Sequence, residues 1–326
     1  MTLSNPPRLV TVFGGSGFVG RHVVRALARR GYQIRVAVRR PDLAFHLQPL
    51  GQVGQISFVQ ANLRYRNSVD RAVAGADHVV NCVGLLNESG RNTFDAVQEF
   101  GARAIAEAAR AAGAGLTHIS AIGADETSES DYARTKGKAE RAVLDTLADA
   151  VILRPSIIFG PEDGFFNKFA AMAASYPVLP LVGGGETKFQ PVYVEDVAEV
   201  VARSVEGKLA KGRIYELGGA EVMSFREILN QIMDVTCRKR TLVPLPFFAA
   251  SLIGSLASLV PFVTPPITAD QVKLLRHDNV VSDAARKEGR TLEAIGITPT
   301  LAAAILPSYL VRYRPEGQFT RTGSAA

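Results

Sequence analysis

Residues Gly14-Gly15-Ser16-Gly17-Phe18-Val19-Gly20 follow the apolar run RLVTVF (Arg8–Phe13) with no linker between them, and this junction restricts the fold more than any other stretch. The run reads as a buried strand, and the glycines after it form a turn that side chains do not fill. Beyond the turn, Val19, Val23, Val24 and Leu27 recur at helical spacing, with Gly31 as the expected C-cap. A strand, a tight turn and a helix in that order open a dinucleotide-binding βαβ unit. Gly14 permits the turn, Gly17 admits a pyrophosphate to backbone N–H groups, and Gly20 lets the helix pack closely. Gly14, Ser16, Gly17, Phe18, Val19 and Gly20 are therefore the candidate phosphate cradle.

The alternation continues. QIRVAV (Gln33–Val38), QISFVQ (Gln55–Gln60), DHVVNCV (Asp77–Val83), LTHIS (Leu116–Ser120) and VILR (Val151–Arg154) read as further strands. Phe94–Ala112 and Tyr132–Leu147 read as helices. Six β-α units predict an α/β fold: a doubly wound parallel sheet of Rossmann type, with a second, smaller substrate-side lobe. After Pro155 glycine, proline and aromatic residues become frequent. The expected division is a dinucleotide-binding domain over 1–160, with returns at about 189–218, and a smaller lobe from 161–188 and 219–326. One return is placed at FQPVYV (Phe189–Val194).

The second strand ends in Arg39-Arg40, where dinucleotide sites that prefer NAD carry an acid for the ribose 2′-hydroxyl. A guanidinium there pairs with a 2′-phosphate, whereas a carboxylate repels it. The expected cofactor is thus NADPH or NADP, and the nearby Asp42 keeps NAD open as the alternative. Asn62 and Leu63 are expected near the adenine, and Cys82, Val83 and Gly84 beneath the dinucleotide. Cys82 reads as a small buried apolar residue rather than a reactive thiol.

Tyr132 and Lys136 stand one helical turn apart on one face, and a nearby ammonium favours phenolate, so the tyrosine is a candidate acid–base for hydride chemistry. With the glycine loop and Arg154-Pro155-Ser156-Ile157-Ile158-Phe159-Gly160-Pro161, this pair makes residues 8–220 resemble the extended and atypical short-chain dehydrogenase/reductases. The resemblance implies that Lys136 also meets the nicotinamide ribose, and that Pro155, Ser156, Ile157 and Ile158 pass the nicotinamide. It further implies a catalytic Ser or Thr a couple of residues past the fifth strand. Ser120 instead lies at the strand end, with a hydrophobic residue in the usual slot, so cofactor binding is implied and turnover is not.

Two longer segments, Ile152–Phe169 and Leu179–Val201, are similar to a narrower branch: the NADPH-binding accessory subunit of respiratory complex I and its bacterial relatives. That resemblance implies a structural nucleotide, complex I subunits as partners and peripheral membrane contact. The alternative is an active NADP(H)-dependent oxidoreductase or epimerase acting on a quinone precursor or another carbonyl or alcohol. Leu242–Ala269 carries no charged residue; its helix-like part, Phe247–Val260, is too short to span a bilayer. Phe248, Leu252, Leu256 and Leu259 recur there at helical spacing, which fits either the core of the small lobe or a docking patch. The net charge of +6 is spread without a dense basic block, which argues against nucleic acid. The five histidines and two cysteines are scattered and predict no metal site. The opening residues show no presequence pattern, so a cytoplasmic protein is expected, peripheral on the inner face of a bacterial plasma membrane.

Overall fold

The computed structural model describes residues 8–86, 88, 90–258 and 268–320. Seven strands form one sheet: β1 (Leu9–Phe13), β2 (Gln33–Val38), β3 (Ile56–Gln60), β4 (His78–Asn81), β5 (Gly115–Ile119), β6 (Val151–Pro155) and β7 (Ile214–Leu217). Their order across the sheet is β7-β6-β5-β4-β1-β2-β3, and β1 to β6 pair in parallel. The order reverses between β1 and β4. At such a switch point the loops leave on opposite faces and open a crevice at the carboxyl ends of the strands. The register places Phe13 level with Asn81, so the turns after β1 and β4 emerge side by side.

Helices α1 (Phe18–Ala28), α2 (Arg66–Val73), α3 (Phe100–Ala112), α4 (Asp131–Thr146) and α5 (Val194–Val205) cover the sheet. Val23, Val24 and Leu27 of α1 are fully buried, which is the apolar stripe its spacing predicts. Phe13, Val79, Leu116 and Ile152 of the sheet share a core with Val69, Val73, Ile105 and Val143 of α2 to α4. The fold is α/β and Rossmann-like. One expected helix is modified: Asp95–Glu99 forms a π-helical turn ahead of α3. The wider turn accompanies an inward Gln98, whose amide donates to the Leu85 carbonyl at 2.8 Å and whose oxygen accepts from Thr135 Oγ1 at 3.0 Å.

The chain divides into two compact units. The first comprises Met1–Pro155, Val194–Glu216 and Glu288–Arg290; the second comprises Ser156–Tyr193, Leu217–Lys287 and Thr291–Ala326. FQPVYV is not a strand of the main sheet. Lys188–Phe189 pairs with Met223–Ser224 and Val192–Tyr193 with Ile158–Phe159, all inside the second unit. The proline at 191 interrupts the run, and the chain re-enters the first unit only at Val194.

The second unit is built on the parallel pair Val178–Val182 and Thr241–Leu245 and on an aromatic core of Phe165, Phe169, Phe189 and Phe225. Its buried Asp163 accepts N–H groups from Gly160, Phe165 and Asn167 and the Tyr309 hydroxyl at 2.6 Å, which ties the helix Ala302–Leu310 to the loop before Phe166. Phe247–Ser258 is a helix, as its composition predicts. Its Phe248 and Leu252 are 75% and 59% exposed, so these two do not serve the lobe's core. Instead the ring of Phe247 is the anchor, seated where a Cβ on Gly183 would meet it at 2.2 Å. Leu256 lies where side chains are not described, and Leu259 outside the described residues.

Candidate functional site

The turn after β1 is built for an approach that side chains would block. Gly14 has φ +72° and donates its N–H to the Ala37 carbonyl at 3.1 Å; a Cβ on it would lie 3.1 Å from Val83 Cγ2 and 3.2 Å from the backbone of Cys82. Gly17 caps α1 in an extended conformation and donates to the Gly14 carbonyl at 3.0 Å. A Cβ on Gly20 would meet that same carbonyl oxygen at 2.2 Å, so Gly20 brings the helix against the turn itself. Packing against the sheet falls to Gly15, whose Cβ would stand 3.0 Å from Val36 Cγ1. Gly15 belongs to the motif but was not among the expected binding residues. Helix α1 has no side-chain cap and no acid in its first turn. The amides of Phe18, Val19 and Gly20, with the positive end of the helix dipole, are thus available to an anion. These features fit a diphosphate.

At the end of β2, Arg39 and Arg40 are both exposed but differ in their company. Arg40 forms a forked pair with Asp42 (Nη2–Oδ2 2.7 Å, Nε–Oδ1 3.0 Å), and the guanidinium holds that carboxyl below its ordinary range. Arg39 makes no ion pair among the described residues. Asn62 is shaped by its own turn, its Oδ1 accepting from the Arg64 N–H at 3.2 Å. The Leu63 side chain is buried in the core against Gly101, where a Cβ would meet it at 2.8 Å. Val83 donates its N–H to Asn81 Oδ1 at 3.0 Å. Cys82 is half-buried, and desolvation pushes its thiol up to about 12, which keeps it protonated and unreactive.

Ser130 caps α4, accepting the Ala133 N–H at 3.3 Å, and Tyr132 and Lys136 follow on its first turns. Lys136 is 4% exposed, donates to the Ile119 carbonyl at 3.1 Å, and stands 3.5 Å from where a Cβ on Gly84 would be. The ammonium therefore bridges the ends of β4 and β5, at the expected nicotinamide end. Desolvation lowers its pKa to about 8. Burial pushes the Tyr132 phenol up to about 12, and its ring sits edge-on to Phe94 at 6.1 Å. Ser120 Oγ is buried and has no hydrogen-bond partner among the described residues. His118, singled out by no motif, lies beside it on β5 with Nδ1 3.0 Å from Asn81 Nδ2. Because Val83 N–H occupies Asn81 Oδ1, the amide donates to Nδ1 and the imidazole proton sits on Nε2. Desolvation lowers His118 to about 3, so it is neutral.

Pro155 closes β6 and accepts the Ile122 N–H at 2.9 Å. Ser156, Ile157 and Ile158 belong to the second unit, where Ser156 Oγ is engaged by Asn279 (Oδ1 2.6 Å) and the Ile157 carbonyl accepts from Val192. No group of three or more His, Cys, Asp or Glu side chains among the described residues is placed to hold a metal ion.

Residues 10–218 match the NAD dependent epimerase/dehydratase family. The chain is 34% identical over 320 residues to "NADH dehydrogenase (ubiquinone) 1 alpha subcomplex subunit 9, mitochondrial" of Arabidopsis thaliana, covering 95% of this chain and 79% of the relative. It is 33% identical over 294 residues to a ceramide reductase of Caulobacter vibrioides, covering 86% and 88%. Among solved structures, an NADPH-dependent quinone oxidoreductase from Escherichia coli, complexed with NADPH, superposes with a TM-score of 0.70 at 20% identity, covering 90% of this chain and 97% of that one.

Proposed function

The chain belongs to the NAD dependent epimerase/dehydratase family, and from that premise we propose that it holds NADP(H) as a largely structural cofactor while serving as an accessory or assembly subunit of the membrane respiratory NADH:quinone oxidoreductase, peripheral on the inner face of a bacterial plasma membrane. One observation carries the reading: the phosphate cradle is complete, while the buried Lys136 ammonium donates to the Ile119 carbonyl and burial pushes the Tyr132 phenol up to about 12. Gly14, Gly17 and Gly20 shape the turn. The similarity to the Arabidopsis subunit over nearly the whole chain supports the assignment of partner. A bound dinucleotide would be gripped through its pyrophosphate by the α1 amides, through its 2′-phosphate by Arg39, and through the nicotinamide ribose by Lys136. It would supply hydride capacity, and this chain's residues supply binding and exclusion of water. A tagged copy extracted gently from membranes is expected to bring quinone-reductase subunits with it and to carry NADPH detectable by mass spectrometry. Recovery only as a free protein counts against this reading.

The preference for the phosphorylated nucleotide rests on Arg39. A charged hydrogen bond to phosphate is worth about 1.5–3 kcal/mol, so Arg39→Ala is expected to weaken NADPH binding roughly 10- to 100-fold and leave NADH almost unchanged. Asp42→Asn releases Arg40 and is expected to shift the ratio further toward NADPH. Calorimetric titration with both nucleotides checks this; equal losses for the two would remove Arg39 from the 2′-phosphate site.

The second reading is a working NADP(H)-dependent reductase or epimerase, favoured by the similarity to the ceramide reductase. Tyr132→Phe then abolishes NADPH consumption on a long-chain carbonyl or quinone panel while nucleotide binding persists.

A further inference from the structure

The turn after β3 keeps its hydrogen-bond acceptors occupied and leaves its donors outward. Strand β3 is the neighbour of β2, and the register sets Val38 level with Gln60, so Arg39 and Arg40 emerge beside Ala61 and Asn62. With the 2′-phosphate assigned to Arg39, the base carried by the same ribose falls toward the turn that Asn62 opens. That turn takes up the acceptors of Asn62. Its Oδ1 accepts the Arg64 N–H at 3.2 Å, and its carbonyl accepts the Tyr65 N–H at 2.8 Å and the Ser68 hydroxyl at 2.9 Å. A backbone N–H can donate only to the amide oxygen, which settles the orientation of the Asn62 amide. Nδ2 is therefore the half directed away from the turn, and it takes no part in the turn's bonds.

Arg64 adds further donors. Its Nη1 reaches the Arg91 carbonyl at 3.5 Å, the outer limit of a hydrogen bond, so the side chain leans from the β3 turn toward the segment that joins β4 to α3. Its Nε is buried with no hydrogen-bond partner among the described residues. A buried donor left without an acceptor is costly, and an acceptor on a ligand would remove that cost. The chemistry of purines then decides what fits. Every purine carries an acceptor at N7, but position 6 is an amino donor in adenine and an oxygen acceptor in a 6-oxopurine. Guanidinium and amide N–H groups pair with the N7 and O6 of a 6-oxopurine, whereas a 6-amino group needs an acceptor opposite it.

We infer that this chain reads the base of its dinucleotide through Asn62 Nδ2 and the Arg64 guanidinium, and so accepts a 6-oxopurine dinucleotide at least as well as the adenine form. The inference rests on the cofactor reading above and names the base class that the site takes. Full-length protein is titrated calorimetrically with NADPH and with reduced nicotinamide hypoxanthine dinucleotide phosphate, which differs from it only in the purine. The hypoxanthine form is expected to bind as tightly as NADPH or more tightly. Asn62→Asp keeps an oxygen for the Arg64 N–H, and with it the turn, but exchanges the outward donor for an acceptor. It is expected to move the affinity ratio at least about tenfold toward NADPH. Arg64→Met is expected to move the ratio the same way by roughly fivefold, because O6 loses its cationic donor. Arg39→Ala acts on the 2′-phosphate, so it should weaken both nucleotides alike and leave the ratio where it was. Hypoxanthine binding more than about fivefold weaker than NADPH binding in the unaltered protein overturns the inference, as does a ratio unmoved by the two substitutions at 62 and 64. In either case NADPH still binds and the cofactor reading stands. Failure of both nucleotides to bind the unaltered protein overturns the cofactor reading and this inference together.

Discussion

Gly20→Ala is expected to destabilise the fold and abolish nucleotide binding together, whereas Gly17→Ala is expected to abolish binding alone. At position 20 the new methyl would lie 2.2 Å from Gly14 O, 2.6 Å from Gly15 Cα and 2.9 Å from Gly14 C. All three are backbone atoms, so no side-chain rotation relieves the overlap and either the turn or α1 must move. Overpacking of this kind costs about 1–3 kcal/mol. At position 17 the backbone is already in a region open to any residue, with φ −73°, and a Cβ meets only Gly14 O at 3.2 Å. Alanine there is tolerated by the fold but stands where the diphosphate must approach the amides. Thermal unfolding with and without NADPH separates the two effects. A ligand at 100 times its dissociation constant stabilises by about 2.7 kcal/mol, and this increment should vanish in both variants. Only Gly20→Ala should also unfold earlier without nucleotide. Retention of both the baseline and the increment in Gly20→Ala would refute the assignment of the cradle.

The parts of this site legible in the sequence are those whose contacts are local. β1, its turn and the first turn of α1 are contiguous, so glycine spacing carries their geometry without knowledge of distant residues. Tyr132 and Lys136 share a face because a helix has 3.6 residues per turn. What each face meets is a long-range matter. Spacing could not show that Lys136 donates to the Ile119 carbonyl, or that the Leu63 side chain packs in the core beside Gly101. The neutral His118 and its Asn81 partner sit on neighbouring strands, 37 positions apart. Helical periodicity leaves Phe248 and Leu252 open between a core stripe and a docking patch; both stand exposed, while Phe247 packs at Gly183. The pairing of Arg40 with Asp42 is local, and a charge at i+2 after a strand end was its signal.

Arg154→Leu is expected to cost about 3–5 kcal/mol, because it strands a carboxylate in the interior. Arg154 on β6 grips Glu140 of α4 with two bonds, Nε–Oε1 at 2.9 Å and Nη2–Oε2 at 2.6 Å, and lies 3.7 Å from Glu216 of β7. The Glu140 side chain is only 5% exposed, so water cannot replace the lost guanidinium. The pair is more than ballast for the site. Glu140 follows Lys136 by one helical turn on the same face, so the clamp sets the height of α4 against β5 and β6 and thereby the reach of Lys136 to Ile119. Arg154→Leu should therefore weaken nucleotide binding as well as lower the denaturant midpoint. Replacing both Arg154 and Glu140 with leucine removes the Glu140 charge but leaves that of the buried Glu216, so the double variant should recover part of the stability but less of the binding. A loss below about 1 kcal/mol for the single variant would mean that Glu140 finds another partner or reaches solvent, and the clamp would have no part in placing Lys136.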